Sequence, residues 1–260
     1  MSFTVVIPAR FASTRLPGKL LLDLGGKPVL QHVYERAQES GAERVIVATD
    51  HDDIVDVVKK FSGEVVVTDK RHQSGTDRIA EVIDKIAMED QTVVVNVQGD
   101  EPLIDPQLVK KVATNLEQYS AASIATACSK LDSVDDLVNP NIVKVVTDEN
   151  GYALYFSRAP IPWHREGFAQ LLTKGALDCD MESLGVCYFR HIGIYAYRAQ
   201  FLRTYVKLPQ STLEKTEALE QLRALSNGYK IHVGETLAND AIGIDTLDDY
   251  KKAKHIIERS

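Results

Sequence analysis

The chain has 260 residues, 44% hydrophobic and 26% charged, with a formal net charge of −7. This length allows one large α/β domain or two small ones with a sizeable core, and the acidic balance argues against a general nucleic-acid surface. Cys128, Cys179 and Cys187 are odd in number, well separated and free of CxxC spacing, which fits a reducing compartment and neither a disulfide framework nor a zinc site.

The first half alternates strand and helix. Thr4–Ile7 reads as a strand, and residues 28–40 as a helix with Pro28 in its first turn and Gly41 as its stop. Val45–Thr49 is a second strand. Asp50 is expected to cap a helix bearing Ile54, Val57, Val58 and Phe61 on one stripe. Val65–Val67 is a third strand, and Thr76 precedes a helix carrying Ile79, Val82, Ile83 and Ile86. Thr92–Val97 is the most apolar strand and is expected to be central; Asp105-Pro106 opens the next helix. Nearly continuous apolar strands alternating with helices predict a mainly parallel sheet covered on both faces.

The second half is less regular. Ser123–Ala127, Ile142–Val146, Tyr152–Phe156 and Ile192–Tyr197 read as strands. Residues 157–190 carry two prolines, Trp163 and mixed charge, and read as an insertion or arm outside the main sheet. Leu213–Ser226 is expected to be helical and Lys230–Val233 a strand. Thr246–Glu258 closes the chain as a helix, with Thr246 and Asp249 spaced as a capping box. No signal-peptide core and no run of about 18 apolar residues is present, so a cytoplasmic protein without membrane insertion is expected.

Four polar motifs follow strand ends, where open α/β sheets bind ligands. Residues 8–19, PARFASTRLPGK, place Arg10, Arg15 and Lys19 on a loop after the first strand. Pro8 and Pro17 stiffen it and Gly18 admits close backbone approach. Three cations so arranged suit a polyanion such as a nucleoside triphosphate; a solvated basic loop is the plain alternative. The loop carries neither a GxGxxG fingerprint nor a Walker sequence. Gln98-Gly99-Asp100-Glu101-Pro102 follows the central strand. Asp100 there suits Mg²⁺ beside a triphosphate, although a lone Asp also serves as a turn or cap, and Glu101 reads as structural. Residues 72–78, HQSGTDR, put Ser74, Gly75 and Thr76 at a helix N-terminus, where N–H groups meet either a polar ligand or a cap. Gly243-Ile244-Asp245-Thr246 supplies the distant second carboxylate that a two-Asp Mg²⁺ site requires, or simply a first-turn residue. Arg158, His191, Tyr195, Glu220 and Gln221 are weaker candidates. His191 and Tyr195 share a strand face, and either type more often packs than binds.

Together these motifs resemble the 3-deoxy-manno-octulosonate (Kdo) cytidylyltransferase family. PARFASTRLPGK, ATDHDDI, HQSGTDR, NVQGDEP, NPNIVKVV, ALYFSRAPIPW, HIGIYAYR, LEQLR and GIDT occur in the family's order along essentially the whole chain. The resemblance implies a Rossmann-like nucleotide-diphospho-sugar transferase fold with a mainly parallel central sheet. It implies one domain, 1–260, with a sugar-binding and dimerisation excursion at about 157–215, and a homodimer. The implied reaction is CTP plus Kdo giving CMP-Kdo and pyrophosphate, activating Kdo for lipopolysaccharide synthesis. Carried over by motif, Arg10, Arg15 and Lys19 meet the phosphates, and Lys19, Asp100, Arg10 and Arg15 are the catalytic residues. Pro8, Ala9, Gln98 and Ser74 to Thr76 surround the cytidine, and Asp100 and Asp245 hold Mg²⁺. Arg78, Arg158, His191, Tyr195, Glu220 and Gln221 face the sugar acid. Phe168–Phe189 matches no family motif, and Leu247 stands where a proline is common. A cytidylyltransferase for 8-amino-Kdo or a sialic acid, and a catalytically silent nucleotide-binding protein, are the alternatives.

Overall fold

The structure is a computed structural model that describes residues 2–11, 16–72, 74–168, 181–182, 184–237 and 243–259. Chain contacts divide into two compact units, one of Met1–Gln118, Ile194–Lys207 and Asn239–Ser260, the other of Tyr119–Gly193 and Leu208–Ala238. The sequence expectation was a single domain with an excursion at about 157–215; the second unit begins well before that excursion.

In the first unit, β1 (Phe3–Ala9) is buried along its whole length, so both its faces are covered. It pairs in parallel with β4 (Arg44–Thr49) on one side and β6 (Val93–Asn96) on the other, Val5 standing opposite both Val45 and Val95. β5 (Glu64–Val67) extends the parallel set beyond β4. Antiparallel to β6 runs the end of β10 (Phe189–Arg198), with Tyr195 opposite Asn96. A small hairpin of β2 (Asp23–Leu24) and β3 (Lys27–Pro28) leads into α1 (Val29–Glu39). The helices α2 (Asp52–Lys60), α3 (Gly75–Lys85) and α4 (Pro106–Gln118) follow β4, β5 and β6 in turn. This is the expected Rossmann-like α/β alternation with a mainly parallel sheet. The ends of β1, β5 and β6 open onto the loops that carry three of the four polar motifs.

In the second unit, β7 (Ile124–Lys130) pairs in parallel with β11 (Ile231–Glu235). α5 (Val134–Val138) precedes β8 (Lys144–Thr147), which pairs antiparallel with β9 (Ala153–Ser157) and with the start of β10. Leu131, Leu137, Phe168, Leu184 and Tyr188 form a local core. α6 (Ala199–Tyr205), of the first unit, continues directly from β10.

The sequence expectation of one helix over 213–226 is corrected. The chain forms α7 (Thr212–Glu217) and α8 (Gln221–Ser226), separated where Ala218 takes a left-handed φ of 52°. An L-residue adopts that conformation at a cost. The buried pair of Arg223 and Glu214 offsets it, with Nε to Oε2 at 2.9 Å and Nη2 to Oε1 at 2.5 Å. The closing helix α9 (Leu247–Ile257) carries the capping box read from Thr246 and Asp249.

Asp50 is the second correction: His51, not Asp50, caps α2. The Asp50 carboxylate instead accepts from Arg78 Nη2 at 2.7 Å, and Arg78 Nη1 donates to Thr68 Oγ1. Arg78 is completely buried, so this network ties the ends of β4 and β5 to α3. Removing one member of a buried pair leaves an uncompensated charge, which costs about 3–5 kcal/mol. Asp50→Ala should therefore lower the unfolding free energy in urea by about 3 kcal/mol; a loss below about 1 kcal/mol would show that Arg78 is satisfied by its neutral partner.

Candidate active site

Three of the four motifs converge on Pro8, at the end of β1. A Cβ built on Gly75 would stand 3.3 Å from Pro8 Cγ, and one on Gly99 only 3.1 Å from the Pro8 carbonyl. Glycine at 75 and 99 thus lets the α3 N-terminus and the loop after β6 lie directly on the opening loop. At α3, Ser74 Oγ accepts from Asp77 N at 3.0 Å while the Asp77 carboxylate accepts from Ser74 N at 3.2 Å. The Ser74 oxygen is therefore engaged as a cap, and Thr76 is buried behind it. Ala9 is buried too; Gln98 is half-buried, its amide 3.5 Å from Asn96 Oδ1.

The fourth motif reaches the same place. Ile244 is fully buried with Leu24, Val29 and Ala253, and its N–H donates to the Asp100 carbonyl at 2.8 Å. That seat brings Asp245 beside Asp100. Gly18, at φ 67°, starts the short 3-10 turn Lys19–Leu21 and sends the Lys19 side chain between the two carboxylates. Lys19 Nζ donates to Asp100 Oδ2 and, at 3.0 Å, to Asp245 Oδ1. Burial opposes charge on Lys19, but hydrogen bonds and attraction from Asp100 and Asp245 outweigh it and raise its pKa. Burial, and then the charge of Asp100, push Glu101 up to about 8. At neutral pH Glu101 therefore adds little negative charge beside Asp100. Arg10 is half-buried, and its Nη2 is buried without a hydrogen-bond partner among the described residues. Arg15 lies outside the described residues.

The second unit gathers Arg158, His191, Glu220 and Gln221. Arg158 follows directly after β9, its Nε on the Glu217 carbonyl at 2.7 Å and its Nη1 on the Pro140 carbonyl at 2.9 Å. His191 lies on β10 with its ring edge-on to Phe156 and Nε2 2.9 Å from Thr126 Oγ1. Gln221 opens α8, which packs on β9, and its buried Nε2 has no hydrogen-bond partner among the described residues. Glu220 is exposed beside it. Tyr195 follows on β10, stacked on Tyr197.

Arg78 is the sugar-facing candidate that the structure does not support. Its side chain is fully buried, with Nη2 on Asp50 and Nη1 on Thr68, and its Nε has no hydrogen-bond partner among the described residues. Glu217 and Lys144, conversely, were not singled out from sequence. Lys144 carried a usable signal: it is the lone cation within the apolar run Ile142–Val146.

A basic loop, a strand-end carboxylate and a helix N-terminus meeting at the edge of a parallel sheet define a nucleotidyltransferase class of site, and residues 4–231 match the profile of the cytidylyltransferase family. A relative from Histophilus somni strain 2336, a 3-deoxy-manno-octulosonate cytidylyltransferase, is 53% identical over 257 residues, covering 99% of each chain. One from Yersinia enterocolitica with the same description is also 53% identical with 99% coverage of both. A solved CMP:2-keto-3-deoxy-manno-octonic acid synthetase, complexed with CTP, superposes with a TM-score of 0.86 at 39% identity, over 99% of this chain and 98% of that one. The chain belongs to the 3-deoxy-manno-octulosonate cytidylyltransferase family.

His191 makes stability depend on pH. Burial drives its pKa from 6.5 down to about 3, so the folded imidazole stays neutral. The unfolded chain takes up this proton near 6.5, and the stability present above that pH is lost as pH falls toward 3. In urea titrations from pH 7 to 4, the stability advantage of the wild type over His191→Gln should shrink with falling pH. A constant difference would mean that His191 is protonated in the folded state.

Proposed function

We propose that the chain transfers CMP from CTP to the anomeric hydroxyl of Kdo and releases pyrophosphate, a reaction that activates Kdo for lipopolysaccharide synthesis. The observation that carries this reading is the meeting of Lys19, Asp100 and Asp245, residues far apart in sequence, at the mouth of β1 and β6. The sugar oxygen attacks the α-phosphorus, the bond to the β-phosphate breaks and the hydroxyl proton is released. Such a step is catalysed by positioning and charge neutralisation. Arg10, Arg15 and Lys19 hold the phosphates; the Nη2 of Arg10, without a partner among the described residues, is a donor suited to a phosphate oxygen. Pro8, Ala9, Gln98 and the segment Ser74–Thr76 surround the cytidine.

Asp100 and Asp245 would hold Mg²⁺. Two carboxylates already converge on one cation, and no third His, Cys, Asp or Glu joins a metal-like group among the described residues. That donor set fits an ion that takes its remaining oxygens from water and phosphate. When bound, Mg²⁺ neutralises phosphate charge. Arg158 pairs with the sugar carboxylate, with His191, Tyr195, Glu220 and Gln221 around the sugar; the buried Nε2 of Gln221, without a partner among the described residues, suits a sugar hydroxyl. The protein works as a homodimer in the cytoplasm. Among the described residues no helix is long and apolar enough to cross a membrane.

Pyrophosphate release measured with each of four NTPs and a panel of keto-sugar acids tests the reaction. Release with CTP and Kdo is expected; release with 8-amino-Kdo or a sialic acid in place of Kdo would move the substrate, and none with any pair would favour a silent binder. Asp100→Asn should abolish turnover with little change in stability, because Asp245 still pairs with Lys19. Lys19→Ala should lower kcat about 100-fold, the scale of one lost transition-state charge contact.

Lys19 stands where the metal would bind. Lys19→Met should therefore tighten Mn²⁺ binding to the nucleotide-free protein, read by electron paramagnetic resonance. Unchanged or weaker Mn²⁺ binding would remove the two-carboxylate assignment.

A further inference from the structure

Arg158 is held at four points. Its main-chain N–H donates to Glu217 Oε2 at 2.9 Å, and its carbonyl accepts from Lys144 Nζ at 2.6 Å. Its Nε and Nη1 donate to the Glu217 and Pro140 carbonyls. These guanidinium partners are neutral, so the cation keeps its attraction for an anion. Among the described residues no acceptor takes Nη2.

The clamp itself is charged and buried. Lys144 is completely buried, and its ammonium also donates to the Asn139 carbonyl at 2.9 Å. Glu217 spends its other oxygen on Ser157 Oγ at 2.6 Å. Burial brings Lys144 down to about 8, against the opposing charge of Glu217. The Glu217 carboxylate thus accepts from the Arg158 main chain and Ser157 and is not paired with the guanidinium, which keeps its own positive charge. An isolated arginine of this length loses considerable rotamer freedom when it binds a ligand, and a preset one does not.

We propose that Glu217, backed by Lys144, is a positioning residue that fixes Arg158 with its free Nη2 edge turned to the carboxylate of the sugar acid. This rests on the reading of Arg158 given under Proposed function. A fixed planar fork matches a carboxylate edge-on, which a mobile one does only part of the time. Neither Glu217 nor Lys144 touches substrate; both act through Arg158.

Steady-state kinetics of Glu217→Gln, Arg158→Ala and the double variant test this, with the CTP-induced shift in Tm as the folding control. Glu217→Gln should raise KM for Kdo at least tenfold and leave KM for CTP within twofold. The double variant should be no worse than Arg158→Ala alone, because the positioning residue has nothing left to position. If Arg158→Ala leaves KM for Kdo unchanged, the reading of Arg158 fails. If Arg158→Ala raises it while Glu217→Gln does not, or if the two effects multiply, the positioning role fails and the reading of Arg158 survives. Should Glu217→Gln lose the CTP-induced shift, Ser157→Ala removes only one bond to the clamp. A threefold rise in KM for Kdo is then expected, and no rise overturns the proposal.

Discussion

Lys19 between Asp100 and Asp245 is the contact on which the candidate site depends. Its members are separated by 81 and 226 positions, so it exists only when the opening loop, the loop after the central strand and the lead-in to the last helix are all in place. The lysine is largely shielded, and two carboxylates so close together would repel without a cation between them. The same arrangement that joins these segments also brings two carboxylates, hard oxygen donors, and the Lys19 ammonium to one point. Assembly of the pocket and its chemistry are therefore one problem with one solution.

Backbone approach makes that contact possible. Pro8 is packed by Gly75 on one side and by Gly99 on the other, and a side chain at either glycine would push the elements apart. Ile244 then anchors the fourth segment by burial and by a main-chain bond to Asp100. Apolar burial and hydrogen bonding between main chains bring these segments together, and the ion pairs of Lys19 with Asp100 and Asp245 complete the contact.

In the second unit a different device serves the same end. A buried lysine and a glutamate define where an arginine sits, through its backbone as much as through its guanidinium. Burying a charge is costly unless carbonyls and a counter-ion surround it. Lys144 has two carbonyls, those of Asn139 and Arg158, and the nearby charge of Glu217 favours its ammonium, which explains how a cation is accommodated within an apolar strand.

The alternation of strands and helices was legible because apolar periodicity and capping residues act over a few positions. β1, β4, β6 and the Thr246–Asp249 cap lie where local pattern puts them. The motif residues were legible as residue types at strand ends. Local reasoning failed where a partner sat far away. Asp50 resembled a helix cap until Arg78, 28 positions on, claimed its carboxylate, and the same pairing removed Arg78 from the ligand-facing set. The break at Ala218 has no local glycine to announce it; it follows from the pairing of Glu214 with Arg223 across the turn. The sequence by itself determined the fold class, the strand-end loops and the chemical types that line them. Only the tertiary structure decided which charges meet, because pairing energy depends on burial and on distances between segments that the chain order leaves open.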